Sequence, residues 1–191
     1  MTGKVSGQSI LSRARTAAGA AAALLLLGAA PAHAAPAGPM PQDGAARLVR
    51  LQGSTTMSSL RAAVGRIPGY RAHRPARWVV TARCPNWGQT DWYHNTICIS
   101  PGVPGYYLDS VVRHEWSHIL QARDYHLNIS LLVRALDNRF GGPGKSGIRG
   151  AEYSADCMAI QLGATWTYYT RCARPAWRHA AAQLLHGREL R

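Results

Sequence analysis

Residues 108–123, LDSVVRHEWSHILQAR, decide how this chain is read. Leu108, Val111, Val112, Ile119 and Leu120 recur at helical spacing and predict a helix across the stretch, with Asp109 or Ser110 available as a cap near its start. Inside it stands His114-Glu115-Trp116-Ser117-His118. Residues four apart share one helix face, a turn above each other, so both imidazoles can bind a single zinc ion. Glu115 follows the first histidine directly. That places its carboxylate beside the metal, where it can take a proton from a zinc-bound water. Positions 116 and 117 carry no charge, so the helix can bury the face that holds the ion, as a dry and preorganised site requires.

A catalytic zinc usually has three protein ligands and keeps one position open. The third must come from elsewhere in the chain. Glu152 and Asp156, in EYSADC at 152–157, lie four apart on a helix expected over Glu152 to Gly163 and again share a face. Only nine acids serve the whole chain, and three of them fall in these two motifs. Two carboxylates stacked on one face of so acid-poor a protein call for a positive partner, which a metal ion supplies. Either carboxylate can be the ligand.

HEWSHILQ followed by a helix carrying Glu-x-x-x-Asp resembles the gluzincin metallopeptidases. The version here is similar to the bacterial neutral zinc metallopeptidases with a Glu-x-x-Ala-Asp-Cys second motif. The likeness covers about residues 108–163. It implies that His114, His118 and Glu152 hold one zinc per chain and that Glu115 activates water. It also implies that Asp156 accepts the free N–H of a ligand histidine, His114 foremost, fixing its tautomer. The transition-state donor of such enzymes, a His or Tyr on a later helix, has no fixed spacing here. Tyr153, Tyr168, Tyr169 and His179 are the candidates, with Tyr168 or Tyr169 preferred.

Outward from these motifs, the chain begins with Lys4, Arg13 and Arg15, an apolar run from Ala17 to Leu27, and Pro31-Ala32-His33-Ala34. This is the pattern of a signal peptide over 1–34 cleaved after Ala34, and the run is about half the length that spans a bilayer. Residues 35–54 are rich in Ala, Pro and Gly with little periodicity, as in a disordered linker or short pro-segment. Residues 55–191 have the size of one domain. Removing the leader lowers the formal charge from +13 to +10. That surplus permits loose affinity for anionic wall polymers. The arginines are scattered and no nucleic-acid motif accompanies them, so no specific nucleic-acid partner is expected.

Thr56 to Val64 predicts a helix closed by Pro68-Gly69, and Trp78 to Ala82 and Thr96 to Ser100 predict strands that can form a hairpin. Ile129 to Phe140 and Pro175 to Leu185 predict two further helices, the former ended by Gly141-Gly142-Pro143-Gly144. The expected class is α+β, a small antiparallel sheet followed by packed helices. Cys84, Cys98, Cys157 and Cys172 suit disulfides in an exported protein. Three pairings are open, and the nearest-neighbour choice joins 84 to 98 and 157 to 172.

The expected activity is that of a secreted, zinc-dependent peptidase acting on a peptide or protein, with the strand over Thr96 to Ser100 offering an edge to it. Two alternatives stand beside it: a zinc-dependent hydrolase of cell-wall peptides, and a zinc-stabilised binding module without catalysis. Oligomeric state leaves no mark on the sequence.

Overall fold

The computed structural model describes residues 54–141 and 149–190. The leader expected over 1–34, the segment 35–53 and the glycine-rich run 142–144 lie outside those residues. Within them the class is α+β, with five helices packed against a three-stranded sheet.

The first helix, α1 (Met57–Gly65), is capped by Thr56. Thr56 accepts the Ser59 amide on its hydroxyl, and the Ser59 hydroxyl accepts the Thr56 amide in return. The helix buries Leu60, Ala63 and Val64, and the chain turns away at Gly69, whose φ is +71°.

Three short strands follow, β1 (Arg77–Val80), β2 (Gly88–Asp91) and β3 (Thr96–Ile99), in the spatial order β1-β3-β2. The sheet is mixed, which corrects the antiparallel expectation. β1 runs parallel to β3, pairing Trp78 with Ile97 and Val79 with Cys98, while β2 runs antiparallel to β3. Parallel neighbours need a crossover of about a dozen residues or more. Residues 81–95 supply it, and β2 forms within that crossover. The hairpin therefore joins β2 to β3 rather than β1 to β3, through a tight turn in which Asn95 takes φ +49°. Cys84–Cys98 ties the crossover to the central strand. A second correction follows. Because β3 is paired on both sides, it has no free edge to offer a peptide; β2 has one.

The long helix α2 (Gly105–Asp124) is the centre of the domain. It is buried nearly all round, with Val112, Trp116, Ile119 and Leu120 among its core residues, because sheet and helices pack on different sides of it. Asn128 caps α3 (Ile129–Phe140) by accepting the Leu131 amide, and Gly141 at φ +115° ends it. The last two helices are α4 (Arg149–Gln161) and α5 (Pro175–Leu185), the latter with Pro175 in its first turn.

The crossing of α4 over its neighbours has identifiable causes. At Gly150 a Cβ atom would collide with the Leu136 carbonyl and the Asp137 amide of α3, so only glycine allows this approach. The buried Asp137 carboxylate accepts the Gly150 N–H at 2.9 Å and caps the start of α4. At its far end the buried Arg113 of α2 donates to the Leu162 carbonyl at 2.8 Å. Cys157–Cys172 then clips the segment before α5 to the middle of α4. Helix α4 is thus fixed at both ends and at its centre, across the histidine face of α2.

Candidate metal centre

His114 and His118 stand one turn apart on α2, and Glu152 reaches them from the first turn of α4. Their ligand-bearing atoms converge. His114 Nε2 lies 3.1 Å from Glu152 Oε2, His118 Nε2 lies 3.4 Å from the same oxygen, and the two Nε2 atoms are 3.2 Å apart. Three donors held at 2.0–2.1 Å around a tetrahedral zinc stand about 3.3 Å from one another. The spacing of the three side chains fits such an ion, and these residues form a group able to hold a metal.

Hydrogen bonds behind the histidines fix which nitrogen is free. His114 Nδ1 is 2.8 Å from Asp156 Oδ1, and an ionised carboxylate only accepts, so Nδ1 carries the proton. His118 Nδ1 is 3.0 Å from Gln121 Oε1. The Gln121 amide nitrogen is committed to the Ala151 carbonyl and the Ser154 hydroxyl, which turns its oxygen toward His118. When neutral, both imidazoles therefore present an Nε2 lone pair. Two lone pairs and a carboxylate oxygen point into one small space and repel each other unless a cation sits among them.

The electrostatics favour positive charge at this point. Burial would depress the His114 imidazole, yet Asp156 and Glu152 hold it well above its ordinary value. Burial lowers and Glu152 raises His118, with the rise prevailing. Glu152 is pushed up by burial, but the adjacent His118 and His114 hold its carboxyl far below the carboxylate range. The pocket attracts positive charge, whether as protons or as a metal ion.

Asp156 does not join the converging set. Its second oxygen accepts the amides of Tyr169 and Thr170 at 2.6 and 2.8 Å, so the whole carboxylate is engaged behind His114. Through it, the segment before α5 is bound to the same histidine. The Tyr169 ring lies over His114, with centroids 5.9 Å apart and planes 25° from parallel. Tyr168 packs edge-on against Tyr169 and is more exposed. Burial first, and then the charges of Glu152, Glu115 and Asp156, raise the Tyr169 phenol above its ordinary value. Of the other candidate donors, Tyr153 packs on Trp177 and His179 is exposed on α5.

Glu115 is buried and faces the sheet. The Thr90 hydroxyl of β2 donates to its Oε2 at 2.7 Å. At Gly88, two residues earlier on the same face of β2, a Cβ atom would come within 2.6 Å of the Glu115 side chain. Burial raises the Glu115 carboxyl, opposed by His114, His118 and the Thr90 hydrogen bond. Gly88, Thr90 and Gln121 are the residues that sequence reasoning missed. The signal that could have found Gln121 was there, since it lies three residues after His118 on the same helix.

A continuous series of rings leads to the site. Tyr106, Tyr107, Trp166, Tyr168 and Tyr169 follow one another at centroid distances of 4.1 to 6.2 Å, and Trp87 packs on Tyr107 and Trp166. Tyr106, Trp87, Tyr168 and Tyr169 are exposed along it. The Ser110 hydroxyl accepts the amides of Thr165 and Trp166 at 3.2 Å, which anchors this strip to α2.

Compared with known proteins, the chain matches no protein-family model, no curated protein and no solved structure.

Proposed function

We propose that this protein is an exported zinc-dependent peptidase of gluzincin type, with His114, His118 and Glu152 as metal ligands and Glu115 as general base. One observation carries the proposal. Two histidine lone pairs and a carboxylate oxygen converge at zinc-ligand spacing, with a second buried carboxylate held beside them by Thr90. A zinc ion bound there supplies Lewis-acid chemistry, acidifying water and polarising a carbonyl.

The chain's own residues supply the rest. Glu115, kept in place by Thr90 and by the absence of a side chain at Gly88, takes the proton of the attacking water and passes it to the leaving amine. Tyr169, stacked over His114 with its amide held by Asp156, is the preferred hydrogen-bond donor to the developing oxyanion. The free edge of β2 runs past Glu115 and can take an extended peptide as an added strand. Export through a cleaved signal peptide agrees with two disulfides, and among the described residues no helix is long and apolar enough to cross a membrane.

A second reading, hydrolysis of cell-wall peptides, is favoured by the exposed aromatic strip beside His114 and by the cationic surface. Zinc content per chain and cleavage of casein and of purified walls, each compared with Glu115→Gln, test both. One zinc per chain with Glu115-dependent cleavage supports the peptidase; the substrate consumed separates the readings. A protein that takes up no zinc would refute both.

A further inference from the structure

Beside the triad lies a cavity of about 220 Å³ walled by Arg74, Trp92, Asn95, Ile119, Ala122 and Arg123. Trp92 connects it to the centre, its ring lying 6.1 Å from that of His118. Ile119, Ala122 and Arg123 continue the helix that carries both histidines.

Two guanidinium groups line the cavity, beside His94 and Asn95. The Trp92 indole N–H is buried and has no hydrogen-bond partner. Arg123 lies over the Trp116 ring at 5.1 Å and donates to Asn95 Oδ1 at 2.7 Å. Among the described residues neither Arg74 nor Arg123 has a carboxylate within ion-pair distance. The exposed acid nearest in sequence, Asp91, is paired with His94 at 2.7 Å. Burial and the charge of Arg74 lower Arg123, and they outweigh the opposing charge of Asp124, the next residue on the helix, which makes no ion pair with it.

We propose that this cavity is a carboxylate-binding subsite that selects substrates with a negative charge about two residues from the bond cleaved. The inference rests on the peptidase reading for its place in a reaction, and its recognition chemistry stands without it. The separation follows from the helix. Arg123 is five residues beyond His118, a rise of about 7.5 Å along the axis, which an extended peptide covers in about two residues. A carboxylate there accepts from both guanidinium groups, in the charge-assisted geometry where such bonds are strongest. It can belong to an acidic side chain or to the peptide's own C-terminus.

The test is binding, so it needs no turnover. Acetyl-Ala-Ala-Glu-amide and its Gln counterpart, and acetyl-tri-alanine as free acid and as amide, are titrated into the full-length disulfide-bonded Glu115→Gln protein. Tryptophan fluorescence and calorimetry read the affinity. The expected result is at least a roughly tenfold preference for one charged probe over its neutral partner, as charge-assisted bonds to a guanidinium imply. The preferred probe tells a side chain from a terminus. Arg74→Ala, which removes an exposed side chain, is expected to abolish the preference, and Arg123→Gln to do the same. Charged and neutral probes bound alike, or not at all, would overturn the proposal, as would a preference that survives Arg74→Ala. A preference found in a protein that takes up no zinc keeps the subsite and removes only the peptidase reading.

Discussion

The hydroxyl of Thr90 on the edge strand sits 2.7 Å from the carboxylate of Glu115 on the central helix, and it links the sheet to the residue proposed as general base. A hydrogen bond to a charged group contributes about 1.5–3 kcal/mol. Thr90→Val keeps the shape and removes the bond. It is expected to lower kcat roughly tenfold or more while zinc content stays at the parent level, because no ligand is touched. Gly88→Ala is expected to do the same by displacing the carboxylate. Loss of zinc in either variant would place Glu115's surroundings in metal binding instead.

The two residues behind the histidines should weaken metal binding without abolishing it. Asp156→Asn and Gln121→Ala release the imidazoles of His114 and His118, and such changes typically cost about 10–100-fold in affinity. Glu152→Ala removes a ligand and should cost more than either. Competition with a zinc-binding dye ranks the three. Equal loss from Asp156 and Glu152 would reopen the choice between them as ligand.

The two disulfides should differ in what they protect. Each closes a loop of similar length, 14 and 15 residues in separation, and each is expected to contribute about 3 kcal/mol to stability. Replacing both Cys157 and Cys172 with Ala also frees the segment whose amides hold Asp156, so zinc affinity should fall with stability. Replacing Cys84 and Cys98 loosens the crossover that carries β2, so activity should fall while zinc affinity holds. Denaturant unfolding and zinc titration of both double variants check this.

Asp124, at the last turn of α2, gives a pH signature remote from the triad. Its Oδ2 is buried without a partner, and burial, with the nearby Glu189, pushes its carboxyl up to about 7. A folded-state value above the unfolded value near 4 means the folded protein binds this proton more tightly. The residue therefore costs nothing below about pH 4, and stability is lost as pH rises from there through about 7. Asp124→Asn removes the penalty and the unfavourable charge at a helix C-terminus. Its Tm is expected to exceed that of the parent by about 2–4 °C at pH 8, and by less at pH 5. A Tm difference independent of pH would refute this.

What the sequence determined by itself was everything written in short-range periodicity. The helix 129–140, the start of the last helix at Pro175 and the histidine pair on one face of α2 follow from spacing of four, apolar period and cap residues, all of which act within a turn or two. The α+β class was legible for the same reason. Tertiary structure decided what depends on contacts between distant segments. The four-residue strand β2 has too little apolar pattern to announce itself, and it forms because β3 offers it a partner. Its pairing made the sheet mixed, moved the free edge from β3 to β2, and brought Gly88 and Thr90 onto Glu115. The division of labour between Glu152 and Asp156 was likewise open on one helix face. It emerged only when Gly150 and Asp137 set α4 against α3, which sent one carboxylate into the space between the histidines and the other behind them.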